Sequence, residues 1–258
     1  MAKVTQITSR SNPLLARVRK LASDPGGYRK SSTLLLEGEH LCAAWRQRNG
    51  PAPQALLSET AWATPALREL AQGATDVAVI ADDAMAGIGT LESPAAIAFL
   101  VDVPLQASVR PREPTLVLDR VQDPGNVGSM LRSAAAFGFV QVVALIGTAA
   151  LWSPKVVRAG MGAHFGLHLV EGAQDAALSA LDVPLFGTSP HASERIDAFA
   201  LPWPCAWVLG HEGQGVSASV ASRCSAMLSI PQPGGEESLN VAAAAAVCFY
   251  ESARRRWP

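Results

Sequence analysis

Three short segments carry the side chains best suited to chemistry. The first is Asp123-Pro124-Gly125-Asn126-Val127-Gly128-Ser129-Met130-Leu131-Arg132, with Asn126 at an N-cap position and Arg132 six residues later on the same helix. The second is Val208-Leu209-Gly210-His211-Glu212-Gly213-Gln214-Gly215, whose glycines permit backbone geometry that other residues resist. The third is Ile230-Pro231 followed by Gly234, Gly235, Ser238, Leu239 and Asn240. Each follows a stretch that reads as a strand. Taken singly, these residues have ordinary roles: a helix cap for Asn126 or Ser238, a surface position for Arg132. Together Arg132, Glu212, Asn126, Asn240 and Ser238 offer a guanidinium, a carboxylate, two carboxamides and a hydroxyl.

Several common chemistries are excluded. The chain has no GxxxxGK[ST] run, so it has no P-loop. The glycines of 210–215 follow G-x-x-G-x-G rather than G-x-G-x-x-G, and no helix-opening pattern with an acid about 20 residues on accompanies them. That argues against a dinucleotide fingerprint. The 5 histidines lack metal-ligand spacing, so no metal is expected. No G-x-S-x-G elbow offers a hydrolase serine.

The elements that must position these segments alternate between strand and helix. Leu116–Val121 and Val140–Ile146 read as strands, and Val127, Met130, Leu131, Ala134 and Ala135 recur between them at helical spacing before Gly138. Strand, helix, strand within about 30 residues is a βαβ unit, which implies a parallel sheet. Later strands are expected at Leu167–Val170, Val183–Phe186, Cys205–Leu209 and Met227–Ile230, and a final helix over Leu239–Arg255. Arg254, Arg255 and Arg256 suit its negative end. The first part adds strands at Leu34–Glu37, Ala55–Leu57, Val77–Ile80 and Ala96–Val101. The fold class is α/β throughout. Pro104–Pro114, with three prolines and two arginines, is the natural linker. It divides the chain into residues 1–104 and 115–258, with 105–114 between.

Composition sets the outer bounds. The 258 residues are 49% hydrophobic and 17% charged, enough to bury a core and too apolar for disorder over most of the length. The net charge of −1 conceals an asymmetry. Residues 1–50 carry nine Lys/Arg against three acids, whereas 51–104 carry one against seven. A basic first segment on a neutral chain points to a polyanionic partner at one surface, with a solvated helix face as the alternative. The 4 cysteines (Cys42, Cys205, Cys224, Cys248) form no CxxC pair, which fits a reducing cytoplasm. Arg10, Arg17, Arg19 and Lys20 interrupt any signal-peptide core. The uncharged run Ser133–Pro154 changes periodicity midway and reads as a helix end and a buried strand, so no membrane is expected.

In order and spacing, DPGNVGSMLRSAAAFG, VLGHEGQGVS and IPQPGGEESLNVAAAAA resemble the three motifs of the SpoU/TrmH RNA 2′-O-methyltransferases, within the SPOUT superfamily. ITSRSNPLLARVRKLASDPGGYRKSSTLLLEGEHL is similar to that family's small N-terminal RNA-binding domain. The resemblance implies a deep trefoil knot in the C-terminal domain, with S-adenosyl-L-methionine held bent against its loops. Gly210, Ile230 and Leu239 match cofactor-contact positions, and Thr188 in the Gly187-Thr188-Ser189 turn is a further candidate. The catalytic set carries over to Asn126, Arg132, Glu212, Ser238 and Asn240. Arg132's counterpart has been proposed as the base that activates the ribose hydroxyl. An arginine stays protonated in nearly all settings, so a role in holding phosphate and stabilising the alkoxide is favoured here. Two departures stand out: Gln232-Pro233 replaces a usual methionine, and Ala242 stands where serine is frequent.

The resemblance further implies an RNA partner, with rRNA favoured and tRNA second; a non-catalytic RNA-binding protein of the same fold is the alternative from another class. A homodimer is implied, with contacts from the Asn126–Phe137 and Leu239–Arg255 helices. RNA delivery falls to residues 1–104 through Arg10, Arg17, Arg19, Lys20, Arg29 and Lys30, which flank Asn12, Tyr28 and the Glu37-Gly38 turn. A fragment spanning 105–258 is then expected to fold by itself.

Overall fold

A computed structural model describes residues 3–89, 93–104, 107–234 and 238–256; Gly235 of the third motif lies outside them. The chain divides into two compact units, Met1–Leu105 with Trp152–Phe165, and Gln106–Leu151 with Gly166–Pro258.

The first unit runs β1 (Lys3–Ile7), α1 (Pro13–Ser23), α2 (Gly27–Ser31), β2 (Thr33–Glu37), α3 (Glu39–Asn49), β3 (Gln54–Ser58), α4 (Glu59–Ala63), α5 (Pro65–Leu70), β4 (Asp76–Ile80), α6 (Asp82–Met85) and β5 (Ile97–Asp102). Its sheet has the order β1-β4-β3-β5-β2. The first three of these are parallel, and β5 is antiparallel to both of its neighbours. Asn12 starts α1 by accepting from the Leu14 N–H, with Pro13 at the first helical position. Leu15, Val18 and Leu21 then recur at helical spacing and bury against Leu35, Leu56 and Ile80.

The second unit begins β6 (Thr115–Asp119), α7 (Pro124–Ala136), β7 (Gln141–Leu145). The chain then contributes α8 (Pro154–Gly160) to the first unit, where it packs on β2 and α1. Val156 and Val157 are buried there, and the Arg158 guanidinium donates to Glu37 at 3.0 Å. Burial pushes the Glu37 carboxyl above its ordinary value, and Arg158 offsets only part of that rise. Trp45 and Phe165 meet edge to face at 5.3 Å. The contiguous division expected from the proline-rich segment therefore differs from the observed one by this returning stretch. Nothing in the seven residues PKVVRAG says against which sheet the two valines lie.

The second unit resumes with β8 (His168–Ala173), β9 (Leu185–Thr188), β10 (Glu194–Arg195), β11 (Ala206–Gly210), α9 (Ala218–Ala221), β12 (Ala226–Ser229) and α10 (Val241–Arg254). Its sheet, β10-β12-β9-β11-β6-β7-β8, is parallel at every pairing. The strands β6 (TLVLD) and β11 (AWVLG) are buried at every position, as central parallel strands covered on both faces require. One face packs Val117, Val143, Val208 and Leu185 together. The other carries α10, where the Trp207 indole N–H donates to Ser252 at 2.9 Å and Phe139 stacks on Phe249 at 4.6 Å. At the end of α10, Arg254 and Arg255 both close on Glu251, and Arg256 lies over the Trp203 ring. No helix among the described residues is long and apolar enough to cross a membrane.

Two local expectations are corrected. Asp123, not Asn126, caps α7: its carboxylate accepts from the Asn126 N–H at 2.7 Å, which leaves the Asn126 side chain free for other partners. Asn240, not Ser238, caps α10, accepting from Ala242 and Ala243 at 2.9 and 3.2 Å.

Candidate active site

From β6 the chain moves outward to β7 and β8, while β11 inserts on its other side. The order reverses between β6 and β11, and ligands of open parallel sheets bind beyond the carboxyl ends of strands at such a point. The loops leaving β9, β11 and β12 meet beside that point. A cavity of about 690 Å³ opens among them, lined by Thr188, Gly210, Glu212, Ile230, Ser238 and Leu239, together with Gln214 and Gln232. All four residues expected at the cofactor therefore share one cavity.

The loop after β11 owes its shape to Gly210. A Cβ there would fall on the backbone of Gly215 and Val216, so only glycine lets the chain double back this closely. His211 and Gly215 close the turn with reciprocal backbone bonds of 3.0 and 2.8 Å. The turn presents Glu212, whose carboxylate accepts from the Asn126 side chain at 3.1 Å and from the Asp123 and Gln122 N–H groups at 3.0 and 3.2 Å. Asn240 in turn donates to Asn126 Oδ1 at 3.0 Å. Burial raises the Glu212 pKa, but bonds from Asn126 and the backbone of Asp123, Glu212 and Gln122 outweigh it and hold the carboxyl below its ordinary value. An anionic Glu212 thus ties three loops together: one after β6, one after β11, one before α10.

Residues 113–250 match the model of the SpoU rRNA Methylase family. The chain belongs to that family. It is 32% identical over 224 residues to the 23S rRNA (guanosine(2553)-2′-O)-methyltransferase RlmP of Bacillus subtilis, covering 86% of this chain and 88% of that protein. It is 37% identical over 145 residues to the 23S rRNA (guanosine-2′-O-)-methyltransferase RlmB of Bordetella pertussis, covering 55% and 59% respectively. Among solved structures, the SpoU methyltransferase AviRb of Streptomyces viridochromogenes in complex with AdoMet superposes with a TM-score of 0.85 at 25% identity. That superposition covers 95% of this chain and 98% of that one.

Within the SpoU unit, Arg132 stands apart from the other expected catalytic residues. It lies on the exposed face of α7 with Gly125 and Ser129, outside the cavity lining, and makes no side-chain bond among the described residues. Sequence reasoning also missed a clamp beneath the SpoU loop. Asp119, 2% exposed at the end of β6, accepts from the Ser217 N–H at 2.6 Å and from Arg120 Nε at 3.0 Å. Arg120 adopts a left-handed backbone (φ 61°) and reaches Gln214 at 3.2 Å, its stem lying over Gly147. An Asp-Arg pair after a strand carries no sequence signal for this; only the fold reveals it.

The basic residues of the first unit are mixed in kind. Arg10 pairs with Asp83 at 3.1 Å, Arg17 donates to Thr33 at 2.6 Å, and Arg19 donates to the Arg10 carbonyl at 2.8 Å. Arg29 lies over the Tyr28 ring. Lys20 and Lys30 are exposed. Of the flanking residues, Asn12 is a cap, Tyr28 is buried, and Glu37 is held by Arg158.

Proposed function

We propose that this chain is an S-adenosylmethionine-dependent RNA methyltransferase that methylates a ribose 2′-hydroxyl of 23S rRNA. The observation that carries it is the Asn240–Asn126–Glu212 chain of hydrogen bonds, whose Glu212 lines the cavity between the loops after β9, β11 and β12. The names of the relatives support the substrate. The cavity fits the cofactor: the glycine turn 210–215 lines it with backbone groups that can read an adenine edge, and Ile230, Leu239 and Val241 give it an apolar side. When bound, S-adenosylmethionine supplies a sulfonium methyl open to in-line attack. Thr188, Gly210, Ile230 and Leu239 hold it. Glu212 and Asn126 fix the loop against the substrate side, while Ser238 and Asn240 order the turn and the ribose. Arg132 holds the RNA phosphate and stabilises the developing alkoxide through its forked N–H donors. The reading includes a trefoil knot in the second unit. Strand order supports it, since β11 and β12 insert on either side of β9 rather than adding at an edge.

A homodimer belongs to the same reading. Val247 and Tyr250 on α10 are exposed, α10 packs beside α7, and a second copy on this face would bring an Arg132 to each cavity. Exposed Lys20 and Lys30, with arginines of α1, deliver the RNA. Four free cysteines support a cytoplasmic setting. The deciding experiment incubates the protein with 23S rRNA and methyl-tritiated cofactor, then hydrolyses in alkali. Label in alkali-resistant dinucleotides marks 2′-O-methylation; label in mononucleotides, or none, rejects the reading.

A further inference from the structure

The turn after β11 spends its side-chain acceptors on the protein itself. His211 Nδ1 accepts from the Gly213 and Gln214 N–H groups at 3.0 and 3.3 Å. A ring nitrogen that accepts hydrogen bonds carries no proton, so the ring's N–H sits on Nε2. Nε2 is therefore a donor, and His211 is no candidate for the base that takes a ribose proton. Gln214 is fixed in the same sense. Its side-chain oxygen accepts from Arg120 at 3.2 Å, and a guanidinium has donors only, so the amide nitrogen faces away from it. Glu212, between them in sequence, turns its oxygens to the Asn126 side chain and the backbone of Gln122 and Asp123. Neither His211 Nε2 nor the Gln214 amide nitrogen meets an acceptor among the described residues, and both side chains belong to the cavity's turn.

We infer that His211 and Gln214 bind a phosphodiester of the RNA substrate, a contact separate from the one assigned to Arg132. The inference rests on the chain being an RNA methyltransferase. Nonbridging phosphate oxygens accept and never donate, so they match side chains left with donors only, and such contacts hold a nucleic acid in register. The carboxylate of the cofactor's methionine end is the other acceptor-only group. The RNA is favoured because Gln214 is exposed and His211 half-buried, which places them at the mouth of the cavity, where a macromolecule arrives.

The test keeps each inward acceptor and removes the outward donor. His211→Asn retains an oxygen for the N–H two residues on, as asparagine does in turns, and has no counterpart of Nε2. Gln214→Glu retains an oxygen for Arg120 and has no side-chain N–H. The full-length variants are compared with wild type by filter binding of unmodified 23S rRNA transcript, by calorimetric titration with S-adenosylhomocysteine and by thermal melting. His211→Asn alters no charge and is expected to bind the transcript about tenfold more weakly, the loss of one hydrogen bond to a charged group. Gln214→Glu is expected to lose more, since it adds a charge of the phosphate's own sign. S-adenosylhomocysteine affinity and melting temperature should stay at the wild-type values in both. Transcript binding as tight as wild type in folded His211→Asn overturns the inference, for the ring then serves the turn alone. If that variant melts early, Gln214→Glu decides by the same outcome. Weaker S-adenosylhomocysteine binding by either folded variant assigns the donor to the cofactor's carboxylate and overturns it as well. A wild type that binds S-adenosylhomocysteine but not the transcript rejects the RNA reading itself, and the inference with it.

Discussion

Glu212 Oε1 takes the Asn126 carboxamide hydrogen at 3.1 Å while also accepting from the Asp123 backbone at 3.0 Å. Its other oxygen accepts from the Gln122 N–H at 3.2 Å. Every one of these partners is a donor. Glu212→Gln replaces one oxygen with an amine that faces the Gln122 N–H, so the loops on β6 and β11 lose register. Methyl transfer is expected to fall about 10²-fold, the scale of an ångström-level misplacement. Single-turnover transfer within threefold or so of wild type would remove Glu212 from the positioning machinery.

The same carboxylate makes a pH prediction. Its folded pKa is lowered from 4.5, so its stabilising contribution is present above that value and is lost as pH falls below it toward the folded value. The gap in melting temperature between wild type and Glu212→Gln should be constant near neutrality and narrow below pH 4.5. A gap that widens in acid would contradict the sign of the shift.

Gly210→Ala places a methyl group on the backbone of Gly215 and Val216. The cost is that of overpacking a rigid turn, about 1–3 kcal/mol by urea unfolding. Binding of S-adenosylhomocysteine should be lost along with it. Wild-type stability and affinity in this variant would mean that the turn yields freely.

Arg132 lies outside the lining of its own chain's cavity. If a second copy supplies it, mixing inactive Arg132→Ala with inactive Glu212→Ala should restore about a quarter of wild-type activity, from one intact site in each mixed dimer. No recovery on mixing, together with light scattering at about 27.0 kDa, would assign Arg132 to its own chain.

RNA affinity should fall steeply with salt, and Arg17→Ala, Arg19→Ala and Lys20→Ala combined should flatten that slope by up to about three contacts. Arg17 and Arg19 each make one internal bond as well, so a melting curve must accompany the filter-binding series. A slope unchanged in the folded triple variant would leave α1 as a merely solvated helix.

Buried parallel strands such as β6 and β11 were readable because their apolar runs are continuous, and α7 because its apolar residues keep helical spacing. The strand β1 was not: four of its five residues are exposed, and only pairing with β4 defines it. At the site, the glycine turns and the polar residues beside them could be picked out by type and order. The Asp119–Arg120–Gln214 clamp could not, because it depends on a left-handed backbone and on strands distant in sequence lying side by side. Asparagine suits a cap, so the sequence offers Asn126 for one; the geometry gives that task to Asp123, three residues earlier.

The return of α8 to the first unit bears on how the chain can be born. Arg158 and Glu37 are separated by 121 residues, yet their contact belongs to the unit that is synthesised first. On a translating ribosome, β2 and α1 emerge long before Val156 and Val157 arrive to cover them, and such long-range closure slows folding. The amino-terminal unit must therefore wait, with an apolar surface open, until the polymerising chain has passed Phe165. Truncations at the proline-rich segment inherit the same defect from both sides: the leading piece lacks its cover, and the trailing piece carries a stranded apolar helix.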